Sequence, residues 1–297
     1  MNKTYPSLVL LALVVSLGTT AHGAPVVDGN LAEWGIGMQG GHNTYDALYG
    51  VSYPMASNGG VAGTITSGLP IGLPVDFHVE DSNDSSGIDY RVGPLYGGQD
   101  FDAEFLGVAH DPLGNKLWIA ISTGQRSDNA FAYFEPGDIL IQTVHGTYYG
   151  VETWGKMFNL DSLGHVTSVV DGFQQGSLVE TSGTGDWLGG ISGSNNPTTQ
   201  VVGGTVVGTT DFVYHEAGLV GGTQHAWIEA GIDLSLFDSA PSLVRWAPSC
   251  GNDELEIEVT ITPLSPPPIP EASAMVTWSL LLGCGFAAAW WRKRRSV

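Results

Sequence analysis

Asp100-Phe101-Asp102-Ala103-Glu104 places three carboxylates at positions i, i+2 and i+4. On an extended segment those positions share one face, about 7 Å apart, so their charges repel. A hard divalent cation relieves that repulsion, since calcium gathers carboxylate, carbonyl and water oxygens around itself. Upstream, Asp76, Glu80, Asp81, Asn83, Asp84 and Asp89 form a second oxygen-rich stretch. Two readings stand side by side. Calcium is held by Asp100, Asp102 and Glu104, or by Asp81 and Asp84; or the clusters are solvated acidic edges.

Asp81 to Gly87 (DSNDSSG) has the acidic opening of an EF-hand loop. It departs from that loop because glycine falls one place late and the twelfth position is Val92 rather than glutamate. Enzyme signatures are sparse. No zincin motif is present, and Gly190 to Ser194 ends in serine where a nucleophile elbow ends in glycine. Gly183-Thr184-Gly185 lacks the strand–helix setting of a dinucleotide loop. Carboxylates are plentiful enough for a glycosidase couple, which keeps a secreted hydrolase of matrix polysaccharide as the rival to a non-catalytic protein. Among the tryptophans, Trp187 lies in the Gly-rich stretch 183–210 and is the one expected to be exposed for stacking on a glycan.

The elements that must hold these residues are strands. The chain has 42 glycines in 297 residues and 13% charged residues, with short alternating runs between Gly-rich turns. Glu254 to Ile261 (ELEIEVTI) turns Leu255, Ile257, Val259 and Ile261 to a dry face and Glu254, Glu256, Glu258 and Thr260 to a wet one. Lys116 to Ser122 alternates in the same way. Asp138 to Val144 and Thr147 to Trp154 form a hairpin turning at His145-Gly146, and Ala226 to Leu236 carries one or two strands. Residues 183–210 read as surface loops with a strand near Val201-Val202. The fold class is all-β: an antiparallel, jelly-roll-like β-sandwich with Gly-rich loops, plus one C-terminal transmembrane helix.

Five segments follow. Residues 1–23 read as a signal peptide, with Lys3, the apolar run Leu8 to Leu17, and small residues up to Gly23. Residues 24–262 form the β-sandwich domain, and 263–271 a Pro-rich linker (PLSPPPIP) leading into Pro270-Glu271. Residues 272–291 form an uncharged stretch long enough to span a bilayer, and 292–297 a basic tail whose charges stay cytoplasmic. The body between the terminal segments has five Lys+Arg against 29 Asp+Glu, a net −24. That sign disfavours nucleic acid and anionic lipid surfaces and favours cations. Cys250 lies in the body and Cys284 in the apolar segment, so no disulfide framework is expected.

Pro270-Glu271, the apolar stretch and the Arg-rich end together resemble the PEP-CTERM sorting signal of Gram-negative bacteria that possess an exosortase, although Ala272 stands where proline is usual. The resemblance implies processing by signal peptidase and exosortase, transient anchoring through 272–291, and a final place at the cell surface or in extracellular polysaccharide. Val27-Asp28-Gly29-Asn30-Leu31-Ala32-Glu33-Trp34 resembles the opening of sandwich domains akin to the family-nine carbohydrate-binding module. Gly93 to Glu104, Pro136 to Ile139, Tyr149 to Thr153 and Trp246 to Asp253 are similar to uncharacterised PEP-CTERM proteins. These likenesses imply a fold and a location and no activity; the residues themselves suggest a non-catalytic protein with glycan or calcium as ligand.

Overall fold

The computed structural model describes residues 25–38, 45–46, 61–79, 103–125, 136–160, 166–188, 199–220, 223–248, 254–261 and 291. A short N-terminal pair, β1 (Gly37–Met38) and β2 (Tyr45–Asp46), precedes β3 (Val61–Ile65), β4 (Val75–Val79), β5 (Ala103–Asp111) and β6 (Lys116–Thr123). Then come β7 (Ile139–Thr143), β8 (Tyr148–Val151), the hairpin β9 (Lys156–Leu160) and β10 (Val166–Asp171), β11 (Ser177–Thr181) and β12 (Thr205–Thr209). The chain closes with β13 (Asp211–Val220), β14 (Thr223–Asp233), β15 (Pro241–Trp246) and β16 (Leu255–Glu258). Among the described residues helical structure is limited to short 3-10 turns and Trp291, and no helix is long and apolar enough to cross a membrane. Residues 1–23, the linker, and all of 272–297 except Trp291 lie outside the described residues.

Two six-stranded sheets face each other. The first runs β13-β14-β6-β5-β4-β3 and the second β12-β11-β8-β7-β15-β16, with every pairing antiparallel. The all-β sandwich is as the alternating sequence requires. Its connections are not those of a jelly roll. Strands β3 to β6 meander within one sheet and β7, β8, β11 and β12 keep sequence order in the other; tight turns join β5 to β6 and β7 to β8, while longer connections join the rest. The hairpin turn at His145-Gly146 forms where expected, and 223–233 is a single strand ending in the 3-10 turn Leu234–Leu236.

The inner faces supply the main core: Leu106, Val108, Leu117, Ile119, Ile121, Ile228 and Ile232 from the first sheet, and Ile139, Ile141, Val151, Leu178, Val244, Trp246 and Ile257 from the second. Strand β16 keeps its expected alternation, with Leu255 and Ile257 buried and Glu256 and Glu258 exposed. Glu256 N donates to His78 Nδ1 at 3.1 Å, tying this edge strand to β4 across the sandwich. Glu254 departs from the wet face. It is 7% exposed and pairs with Arg245 Nε at 2.6 Å.

Both outer faces are covered as well. Residues 25–36 and 69–73 lie over the first sheet, where Leu31, Trp34, Ile36, Leu69 and Ile71 meet Phe77, Phe105, Ala109, Trp118 and Ala120. The alternating positions of β6 therefore enter two different cores: Leu117, Ile119 and Ile121 inward, Trp118 and Ala120 outward. Over the second sheet, Trp187 and Val201 close on Leu140 and Val179. Gly150 permits that approach, since a Cβ there would lie 2.2 Å from Val201 Cγ2. The stretch read as surface loop thus contributes a cover, joined through the bridge Trp187–Val201.

Candidate functional site

Asp81, Asp84, Asp100, Asp102, Pro270 and Glu271 lie outside the described residues. Glu104 lies within them, at a bulge where Ala103 pairs with Thr123 and Phe105 with Ser122. Its side chain is 3% exposed, and Oε2 accepts from Ser122 Oγ at 3.0 Å. For this one residue a solvated edge is not what the structure has: at the bulge its carboxylate is buried and bonded to Ser122. Among the described residues no group of three or more His, Cys, Asp or Glu side chains could hold a metal ion.

Trp187 is also not where its surroundings suggest. It is 2% exposed, and its indole N–H donates to Thr181 Oγ1 at 3.0 Å. The Gly-rich segment folds back on the sheet instead of standing away from it, because the ring fills the space above Gly150. A ring so enclosed offers no face for stacking on a sugar.

Three buried carboxylates were not singled out from sequence, and two of them, Glu229 and Asp138, secure the covers. Glu229, on the outer face of β14, accepts from the backbone N–H groups of Asp28 at 3.1 Å and Gly29 at 2.6 Å through Oε2, and from Trp34 Nε1 at 3.1 Å through Oε1. The segment it holds is shaped locally by side chains: Asp28 Oδ1 accepts from Asn30 N, and Asn30 Oδ1 from Ala32 N, opening the 3-10 turn Leu31–Trp34. Burial pushes the Glu229 carboxyl up to about 7 against the lowering effect of those donors. Asp138 plays the same part on the other sheet. Its Oδ2 accepts from Val201 N at 2.8 Å, and its Oδ1 from Thr153 N at 2.8 Å. Glu152 lies beside it, with Oε1 accepting from Gly155 N at 2.9 Å and Oε2 buried without a hydrogen-bond partner. Burial raises both carboxyls, and the Asp138 charge raises Glu152 further. Glu229 and Asp138 lie beneath covers and bond to their backbone, and Glu152 is buried and bonded to the backbone of its own loop.

Open clefts lie between other described residues. One of about 420 Å³ lies between the β5–β6 turn and the segment 234–241, lined by His110, Pro112, Phe237 and Ile261. Another, of about 580 Å³, is bounded by Val26 and Val27 of the N-terminal cover, Asp111, Lys116 and Trp118 of β5 and β6, and Asp211 and Phe212 of β13. Lys116 forms an ion pair with Asp211, and its Nζ stands 5.1 Å from the centroid of the Trp118 ring. Beneath the ring runs Gly231, where a Cβ would lie 2.5 Å from Trp118 Cζ3. Two carboxylates, an ammonium and apolar walls make this cleft suited to a polar, uncharged ligand.

No family model, curated protein or solved structure matches this chain. Function is therefore argued from the site and from the chain's own signals. Sequence reasoning missed Glu229 and Asp138 because their partners are remote: Glu229 meets residues about 200 positions away and Asp138 meets one 63 away; Glu152 bonds locally, but its burial beside Asp138 comes from the fold. The period-two pattern places Trp118 and Glu229 on outward faces, and nothing in it announces that those faces are covered.

Proposed function

We propose that this chain is an exported, exosortase-processed surface or extracellular-matrix protein without catalytic activity, whose ligand is a glycan, calcium or both. The Pro270-Glu271 motif, the apolar segment 272–291 and the basic tail support the sorting route. The non-catalytic reading rests on one structural observation. Among the described residues the carboxylates displaced most toward neutrality, Glu229, Asp138 and Glu152, are buried against backbone donors and line neither open cleft described above. A calcium site at the acidic segment would draw on Asp100, Asp102 and Glu104, or on Asp81 and Asp84, in keeping with the charge of the body.

The hydrolase reading keeps one specific support: Asp111 and Asp211 line the same cleft. Incubation of the purified chain with host exopolysaccharide separates the two. Retention without release of reducing ends supports binding, whereas a rise in reducing ends abolished by Asp211→Asn establishes hydrolysis. Intact mass of surface-released protein tests the sorting route. A species beginning at Ala24 and ending near Pro270 is expected, and one retaining Trp290 and the basic tail in a host with exosortase overturns it.

A further inference from the structure

We propose that the cleft bounded by Lys116, Trp118 and Asp211 is a binding site for a neutral saccharide, with the Trp118 indole N–H donating to one of its oxygens. The inference rests on the glycan-binding reading above and adds the site. Trp118 lines the cleft, is 6% exposed, and its Nε1 is buried with no hydrogen-bond partner. An orphaned buried donor is costly and uncommon, so a retained one calls for an acceptor supplied from elsewhere. Lys116 screens the ring from one side while Gly231 backs it from the other. Displacement of that long, one-third-exposed lysine side chain is the movement that opens the indole to a ligand.

The surrounding groups narrow the chemistry. Asp211 and Asp111 accept hydrogen bonds and Lys116 donates them, which matches neighbouring hydroxyls presenting both roles. Val26, Val27 and Phe212 provide walls for the apolar C–H faces of a sugar ring. Two carboxylates against one ammonium, on a chain of net charge −20, disfavour an anionic polysaccharide. A purely apolar ligand would desolvate the same carboxylates without hydrogen bonds in return. The cleft volume of about 580 Å³ lies within the range of small-molecule sites.

The test uses the full chain in a zwitterionic detergent, since alkyl glycosides would compete. Calorimetric titration with soluble gluco-, manno-, galacto- and N-acetylglucosamine oligosaccharides identifies a binder. Trp118→Phe keeps a ring and removes the N–H; Trp227→Phe removes another buried, unpartnered indole N–H that does not line the cleft. The expected result is a loss of about tenfold or more in affinity for Trp118→Phe, with Trp227→Phe binding like the parent. Lys116→Met and Asp211→Asn, at partly exposed positions, should also weaken binding, and they carry the test if Trp118→Phe does not fold. Saturable binding unaffected by these cleft substitutions overturns the site while leaving a glycan-binding protein. Absence of binding by the parent to every sugar up to millimolar concentration overturns both.

Discussion

The indole N–H of Trp34 donates to Glu229 Oε1 at 3.1 Å, joining residues 195 positions apart. The same carboxylate takes two backbone N–H groups from residues 28 and 29, so one side chain ties down three positions of the N-terminal cover. Asp138 does likewise for the segment containing Val201 on the opposite side of the sandwich. Each outer face thus carries a cover, held by a carboxylate that burial drives toward its neutral form.

Stability should fall as pH rises through neutrality. A Glu229 carboxyl raised from its ordinary 4.5 to about 7 means that the folded chain binds more protons than the unfolded one between those values. Its contribution is complete below about pH 4.5 and is lost as pH climbs through about 7, on the order of 3 kcal/mol. Asp138 and Glu152, also raised, act with the same sign. Denaturant midpoints measured from pH 5 to 8 should decline. The decline should be shallower in Glu229→Gln, whatever that variant's starting stability. An unchanged slope would show that Glu229 does not titrate in this window.

The acidic side chains around β16 should behave differently from one another. Ile257, 5% exposed in the core, should cost about 2–5 kcal/mol when changed to alanine. Glu256→Ala, on the exposed face, should stay within roughly 0.5 kcal/mol. Glu254→Ala should cost about 3–5 kcal/mol, because it leaves the Arg245 guanidinium buried without its carboxylate. Equal effects of the two glutamate substitutions in a urea melt would contradict this placement.

Trp187 should matter for stability more than for ligand. Trp187→Ala empties the small core under the second cover and should cost about 3–5 kcal/mol. Gly150→Ala, which drives a methyl group against Val201, should cost about 1–3 kcal/mol. Thermal unfolding measures both. At temperatures where Trp187→Phe remains folded, its glycan affinity should equal that of the parent.

Calcium should stabilise the chain beyond ordinary screening. At a hundredfold excess over its dissociation constant, a site confined to the folded state contributes about 2.7 kcal/mol. Magnesium at matched ionic strength is the control, since it requires a tighter octahedral shell and releases water reluctantly. The expected outcome is a clearly larger rise in melting temperature with calcium, lost in Asp102→Asn. Equal shifts from both ions would assign the acidic segment a purely electrostatic role.

For β6 and β16, local alternation alone tells which side chains face the main core. The alternation of Leu255 and Ile257 with Glu256 and Glu258, and of Leu117, Ile119 and Ile121 with their neighbours, is a property of the extended backbone and needs no tertiary information. The hairpin at His145-Gly146 was legible for the same reason, being set by adjacent residues. What lies over the second face of each sheet is decided by segments far away in the chain. Glu254 reads as a wet-face residue until Arg245 is beside it, and Trp187 reads as exposed until Gly150 opens a recess beneath it. Glu229 reads as one carboxylate among many until residues 28–34 arrive to be held. A pattern of period two reports orientation, whereas burial depends on long-range packing and on the hydrogen bonds made after the covers close, and only the tertiary structure brings those together.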